Sequence, residues 1–206
     1  MYITRLVLNP ESKSARLMVE RPYEMHRTLV TRLFDGHQDG VLFRTESLLG
    51  QPPTVLVQSQ QTPDLLWLSD PQRGGYVIRE YQTKPLSLDG VCTGDRFRFR
   101  LRANPVKKDD EGRRRALETW DEWTVWIHHK GERHGFRCLD VAVSFRQVQR
   151  VLLLRKGRHS TSFMLNVVQY EGVLQADDGE KLIQAVVSGV GRGKFLGCGL
   201  LSLMRL

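Results

Sequence analysis

RFRFRLRAN, Arg96–Asn104, alternates without a break between arginine and an apolar side chain up to Arg102. Successive side chains of a strand point to opposite faces. Arg96, Arg98, Arg100 and Arg102 therefore share one face, with Phe97, Phe99 and Leu101 on the other. This is a strand with one buried and one charged side, and it opens the second half of the chain. Downstream a helix is expected over about residues 118–130, with Trp123 and Ile127 turned inward. Strands follow at FRCLDVAVSF (136–145), VQRVLLLR (148–155) and SFMLNVVQYEGVL (162–174), the last two joined by the basic turn KGRHST. A helix over about 178–187 and the apolar strand GLLSL complete this half.

The first half repeats that order. MYITRLVLN reads as a strand. RPYEMHRTLVTRLF reads as a helix: Pro22 suits its first turn, Met25, Leu29, Val30 and Leu33 recur at three- and four-residue steps, and Gly36 ends it. Two strands, VLFRTE and PTVLVQSQ, precede a short helix near 64–68 and a strand at YVIREYQ. Two copies of a βαββαβ unit make the chain an α+β protein of two tandem ferredoxin-like (RRM-like) domains. Their extents are about 1–90 and 95–206, divided in the turn-rich SLDGVCTGD.

The 206 residues carry a formal net charge of +8, which favours a polyanionic partner without specifying a fold. From Arg96 to Lys108 there are six cations and no acid; from Val141 to Tyr170 there are five, again with no acid. Lys181 to the end is likewise acid-free. Basic segments of this kind can follow a phosphate backbone or can be ordinary solvated surface. No run approaches the ~20 apolar residues of a membrane span, and MYITRLVLNP lacks the layout of a secretory leader. Cys92, Cys138 and Cys198 are scattered and suit a reducing, cytoplasmic setting.

The end, SGVGRGKFLGCGLLSLMRL, carries five glycines, Arg192 and Lys194. It is no P-loop: Ser188 stands at the first glycine position, Phe195 replaces the magnesium-binding hydroxyl, and no long helix follows. Its glycines can turn main-chain N–H groups toward a phosphate or can serve tight packing between domains. Tyr23 and His26, three apart, share a helix face. Imidazole exchanges a proton at neutral pH, whereas a phenol is better suited to orienting or donating a hydrogen bond. Such a pair is equally compatible with an ordinary surface position. His128, His129, His134 and Cys138 match no standard zinc spacing, so no metal and no cofactor is assigned. With no nucleophile elbow in the chain, an enzyme acting on RNA would use the substrate's 2′-hydroxyl, a histidine, a hydroxyl partner and a cation.

MYITRLVLNP, PYEMHRTL, FRFRLRANPVK, QYEGVL and GVGRGKFLGCGLLSL together resemble the CasE (Cse) family, the CRISPR RNA-processing endoribonucleases of type I-E systems. The resemblance is spread over the chain and is loose over residues 61–95 and 109–150. It implies the two-domain fold read above and metal-independent cleavage of CRISPR precursor RNA at the 3′ base of the repeat hairpin. The products would be a 2′,3′-cyclic phosphate and a 5′-hydroxyl, with the mature RNA retained and the protein joining the Cascade complex. It places the family's histidine on His26, its tyrosine on Tyr23, and a further basic residue among Arg155, Lys156 and Arg158, Lys156 being taken as catalytic. Arg96, Arg98, Arg100, Arg102, Lys107, Arg155, Arg158, Arg192 and Lys194 are the expected RNA-binding residues. The rivals are a non-catalytic RNA-hairpin-binding subunit of the same fold, a metal-dependent nuclease using the His128–Cys138 region, and a structural Cascade-type subunit.

Overall fold

The computed structural model describes residues 1–37, 39–47, 50–69, 77–153 and 161–206, Ser69 by its backbone only. The chain forms two compact units. One comprises Met1–Ser87, Val151–Ser162 and Phe195–Gly197; the other comprises Leu88–Arg150, Phe163–Lys194 and Cys198–Leu206. No helix among the described residues is long and apolar enough to cross a membrane.

The first half of the chain runs β1 (Tyr2–Leu8), α1 (Lys13–Glu20), α2 (Pro22–Leu33), β2 (Leu42–Glu46), β3 (Thr54–Ser59), α3 (Leu66–Ser69) and β4 (Ile78–Pro85). Its sheet has the order β2-β3-β1-β4, with every neighbouring pair antiparallel. Leu6 and Leu8 of β1, Val55 and Val57 of β3, and Met25, Leu29 and Leu33 of α2 belong to one buried core. Helix α1 was not anticipated. Its cap is legible after the fact: Ser12 Oγ accepts from the Ala15 N–H, and Ala15 and Met18, three apart, are its buried residues. The Arg21 N–H closes α1 on the Leu17 carbonyl. Pro22 then starts α2, because its fixed φ and missing N–H suit a first helical turn and bar an interior one.

The second half runs β5 (Arg96–Ala103), β6 (Val106–Lys108), β7 (Arg114–Ala116), α4 (Trp120–Arg133), β8 (Phe136–Leu153), β9 (Thr161–Ala176), α5 (Gly179–Ser188), a 3-10 turn at Lys194–Leu196 and β10 (Leu201–Arg205). The sheet order is β10-β5-β9-β8. In both sheets the fourth principal strand lies beside the first, then the third, then the second, so the fold is two tandem ferredoxin-like domains. The alternation of β5 holds throughout: Phe97, Phe99, Leu101 and Ala103 are at most 4 % exposed.

Two expectations need correcting. FRCLDVAVSF and the described part of VQRVLLLR, residues 148–153, are one 18-residue strand, β8; the polar residues Arg146 and Gln147 between them lie on an exposed edge strand and do not interrupt it. A small hairpin, β6–β7, also stands between β5 and α4. Its turn is held by Asp109, whose Oδ1 accepts from the N–H groups of Glu111 and Arg113.

Gly131 sits inside α4, where alanine ordinarily stabilises a helix by about 0.5–1 kcal/mol. Here a Cβ would lie 2.3 Å from the Phe136 carbonyl oxygen. Gly131→Ala is therefore expected to lose about 1–3 kcal/mol as an overpacking change, read from urea unfolding. A gain in stability would show that the α4–β8 connection yields.

Candidate active site and basic surfaces

Burial of Met25, Leu29, Val30 and Leu33 fixes the rotation of α2. Tyr23 and His26 are thereby placed at the margin of the core, half-buried on one flank. The His26 ring lies 6.2 Å from the Phe43 ring of β2 and 6.4 Å, edge to face, from the Phe195 ring. Phe195 also meets Tyr23 edge to face at 6.3 Å. Burial among these rings lowers the His26 pKa below its ordinary value of 6.5. At neutral pH the imidazole is uncharged and able to accept a proton. Phe195, 39 % exposed, was not singled out as a site residue in the sequence. An aromatic side chain amid glycines at an otherwise featureless position was the available signal.

All five glycines of the terminal loop have positive φ, between +74° and +91°, a region that L side chains rarely adopt. Close packing accompanies it. A Cβ on Gly197 would lie 3.1 Å from the Phe43 ring, and one on Gly191 3.2 Å from Trp126. Three of the loop's N–H groups are spent internally: Val190 donates to the Gly199 carbonyl, Cys198 to Gly193 and Gly199 to Arg102. Those groups do not face outward toward a phosphate. Arg192 is exposed and Lys194 half-buried.

The β5 arginines share a face, as expected, but differ in their partners. Arg100 pairs with Glu171 at 3.0 Å. Burial works to raise the Glu171 pKa, but hydrogen bonds from Ser144 and Gln169 and the Arg100 charge outweigh it and hold the group below its ordinary value. Arg102 donates to Gln169 and lies over the Phe145 ring; Arg96 donates to Gln175. Arg98 is exposed. Lys107 lies 3.7 Å from Glu122, which also holds Arg115. Arg155, Lys156 and Arg158 lie outside the described residues. Among the described residues, no group of three or more His, Cys, Asp or Glu side chains is placed to hold a metal ion.

Two tandem ferredoxin-like domains thus carry a histidine–tyrosine pair on the first and basic residues on the second. The family model described as CRISPR associated protein matches residues 1–205, and the chain belongs to that family. It is 38% identical over 219 residues to the CRISPR-associated endoribonuclease Cse3 of Thermus thermophilus, covering 98% of this chain and 99% of that protein. It is 28% identical over 222 residues to the CRISPR system Cascade subunit CasE of Escherichia coli, covering 100% of both. The structure of CRISPR endoribonuclease Cse3 bound to 19 nt RNA superposes with a TM-score of 0.85 at 36% identity, covering 99% of this chain and 100% of that one.

The environment of His26 has a direct readout. Its NMR titration midpoint in the free protein should lie below 6.5, and Phe195→Ala should move it upward by opening the ring to water. A midpoint at or above 6.5 in the wild type would remove the case for a neutral base.

Proposed function

We propose that the chain is a metal-independent CRISPR-associated endoribonuclease. It cuts precursor RNA at the 3′ base of the repeat hairpin, keeps the mature RNA and serves in the cytoplasm as a Cascade subunit. The observation that carries this reading is a half-buried, charge-depleted His26 one helical turn from Tyr23, in a chain related end to end to a named CRISPR endoribonuclease. The relative named as a Cascade subunit supports the retention of product.

In this mechanism neutral His26 removes the proton from the 2′-hydroxyl just upstream of the cut. The resulting oxygen attacks the adjacent phosphorus and expels the 5′-oxygen of the next nucleotide, which leaves as a hydroxyl after taking up a proton. The upstream product ends in a 2′,3′-cyclic phosphate. Tyr23 orients the phosphate by hydrogen bonding and takes part in the proton transfer. A cation of the second-domain hairpin, Lys156 in this reading, stabilises the charge that develops on the phosphoryl oxygens.

The first domain, 1–90, supplies Tyr23 and His26; the second, 95–206, supplies the RNA grip. Arg96, Arg98, Arg100, Arg102, Lys107, Arg192 and Lys194 contribute phosphate contacts there. A-form stems are read mainly by shape and backbone, which suits dispersed cations. Arg100 and Arg102, already engaged by Glu171 and Gln169, act through an ordered polar face.

The test is cleavage of a labelled repeat hairpin in EDTA. Wild type should cut, while His26→Ala should be about 10²–10⁴-fold slower with hairpin affinity retained. A 2′-deoxy nucleotide upstream of the scissile phosphate should block the reaction. Protonated His26 cannot act as a base, so kcat/KM should fall as pH drops through the lowered histidine pKa and level off toward neutrality. Loss of cutting in EDTA would overturn the metal-independent mechanism. Tight binding with no cut by the wild type would leave a non-catalytic hairpin-binding subunit.

A further inference from the structure

We propose that a cleft within the second unit, bounded by the β6–β7 hairpin, α4 and the glycine-rich loop, holds a single-stranded stretch of RNA outside the hairpin by its phosphates. The proposal rests on the reading of the chain as a hairpin-processing ribonuclease. The cleft has a volume of about 840 Å³, the size that accepts a drug-sized ligand and so about two nucleotides of single strand, but no double-helical stem. Six cations line it: Lys107 and Lys108 from β6, Arg114 from β7, Lys130 and Arg133 from α4, and Arg192 from the loop, Lys107 being paired with Glu122. Among the described residues Lys108, Arg114, Arg133 and Arg192 have no carboxylate partner, and the Lys130 ammonium lies 5.3 Å over the Trp126 ring. Of the two acids on the lining, Glu122 is held by Arg115 and Lys107, with the Arg115 hydrogen bond as the main cause of a carboxyl pKa near 2.

Cations gathered from four chain segments repel one another across the cleft. Burial first, and the Arg133 charge second, lower the Lys130 pKa. Burial again, followed by Lys130, Lys194 and Arg133, lowers that of neighbouring His134. A phosphate between them replaces repulsion with attraction. The cleft offers no platform for a base. Trp126 is stacked on Tyr170 at 5.8 Å, carries Lys130 over its ring and has Gly191 against its edge. Recognition is therefore of backbone charge, tolerant of sequence. An acidic protein segment shares that charge, but a protein partner also needs an apolar anchor point. Val125, 54 % exposed, is the only strongly exposed apolar side chain among the described residues on the lining.

The experiment compares the full chain with Lys108→Glu/Arg133→Glu, and with the milder Lys108→Gln/Arg133→Gln. Each is measured on the bare hairpin and on the hairpin carrying an unpaired extension of about eight nucleotides on either side. The charge-reversed pair should weaken binding of one extended RNA about tenfold or more. Its salt dependence should fall by about 1.4 in log–log slope for two lost phosphate contacts. Affinity for the bare hairpin and its cleavage rate should be unchanged, and the glutamine pair should shift the same way by less. Equal weakening on bare and extended RNA would overturn the proposal, since the charges would then serve the hairpin. So would unchanged binding of all RNAs, including the case in which the variants instead lose association with an acidic Cascade subunit. A wild type that holds the extension through these residues yet cuts nothing overturns the ribonuclease reading and leaves the cleft assignment standing.

Discussion

The pairing of β5 with β9 admits one register, and the second domain is organised around it. Phe97, Leu101 and Ala103 face Leu174, Tyr170 and Val168 across the ladder, and Phe99 faces Gly172, all on the buried side. Tyr170 fixes the helix layer as well. It is fully buried, stacks on Trp126 at 5.8 Å and donates its hydroxyl hydrogen to the Trp123 carbonyl of α4. A shift of one residue would turn every side chain to the other face and drive four arginines into the core. Burial of unpaired guanidinium groups costs far more than the ladder can return, so the aromatic face locks the charged face into place.

The glycine-rich end depends on a different constraint. Positive φ at all five glycines lets the chain reverse repeatedly within a short segment while its backbone packs against side chains. Gly197 lies against Phe43, and the neighbouring Phe195 ring stands beside Tyr23 and His26. The Phe195 ring thus contributes to the partial burial of the His26 imidazole, while the N–H groups of Val190, Cys198 and Gly199 are spent on hydrogen bonds within the fold. Glycine is required here for close approach, and the resemblance to a phosphate cradle in the raw sequence is a consequence of the same backbone freedom.

Most of the fold was legible because its signals were local. Alternation marked β5, three- and four-residue apolar steps marked α2, and turn formers separated the strands. The failures have equally local causes. Helix α1 spans only eight residues, too few for a period to stand out. The β6–β7 hairpin has strands of three residues and a polar turn organised by Asp109, so it looks like loop. Strand β8 was divided because an exposed edge tolerates the polar residues that elsewhere signal a break. At the candidate site, the shared flank of Tyr23 and His26 was readable from spacing. Phe195 was not, since its proximity depends on a loop whose path glycines leave undetermined until packing chooses it.

Charge was the property least recoverable from the linear chain. The acid-free run from Arg96 to Lys108 suggests a continuous basic surface, yet strand register brings Gln169 and Gln175, sixty-seven and seventy-nine residues away, onto Arg102 and Arg96, and Glu171 onto Arg100. Those arginines are partly satisfied within the fold. Arg133 stands next to Glu132 in sequence, Arg114 follows the acids at 109–111, and Lys108 ends the acid-free run beside Asp109. Asp109, however, turns inward to its own hairpin and to Arg113, and Glu122 is taken by Arg115 and Lys107. Among the described residues, cations without carboxylate partners fall both beside acids in sequence, as Arg133 does, and in acid-free segments, as Arg192 does. A phosphate responds to the charge that remains after intramolecular pairing, and the sheet register and the hairpin turn decide where that charge lies.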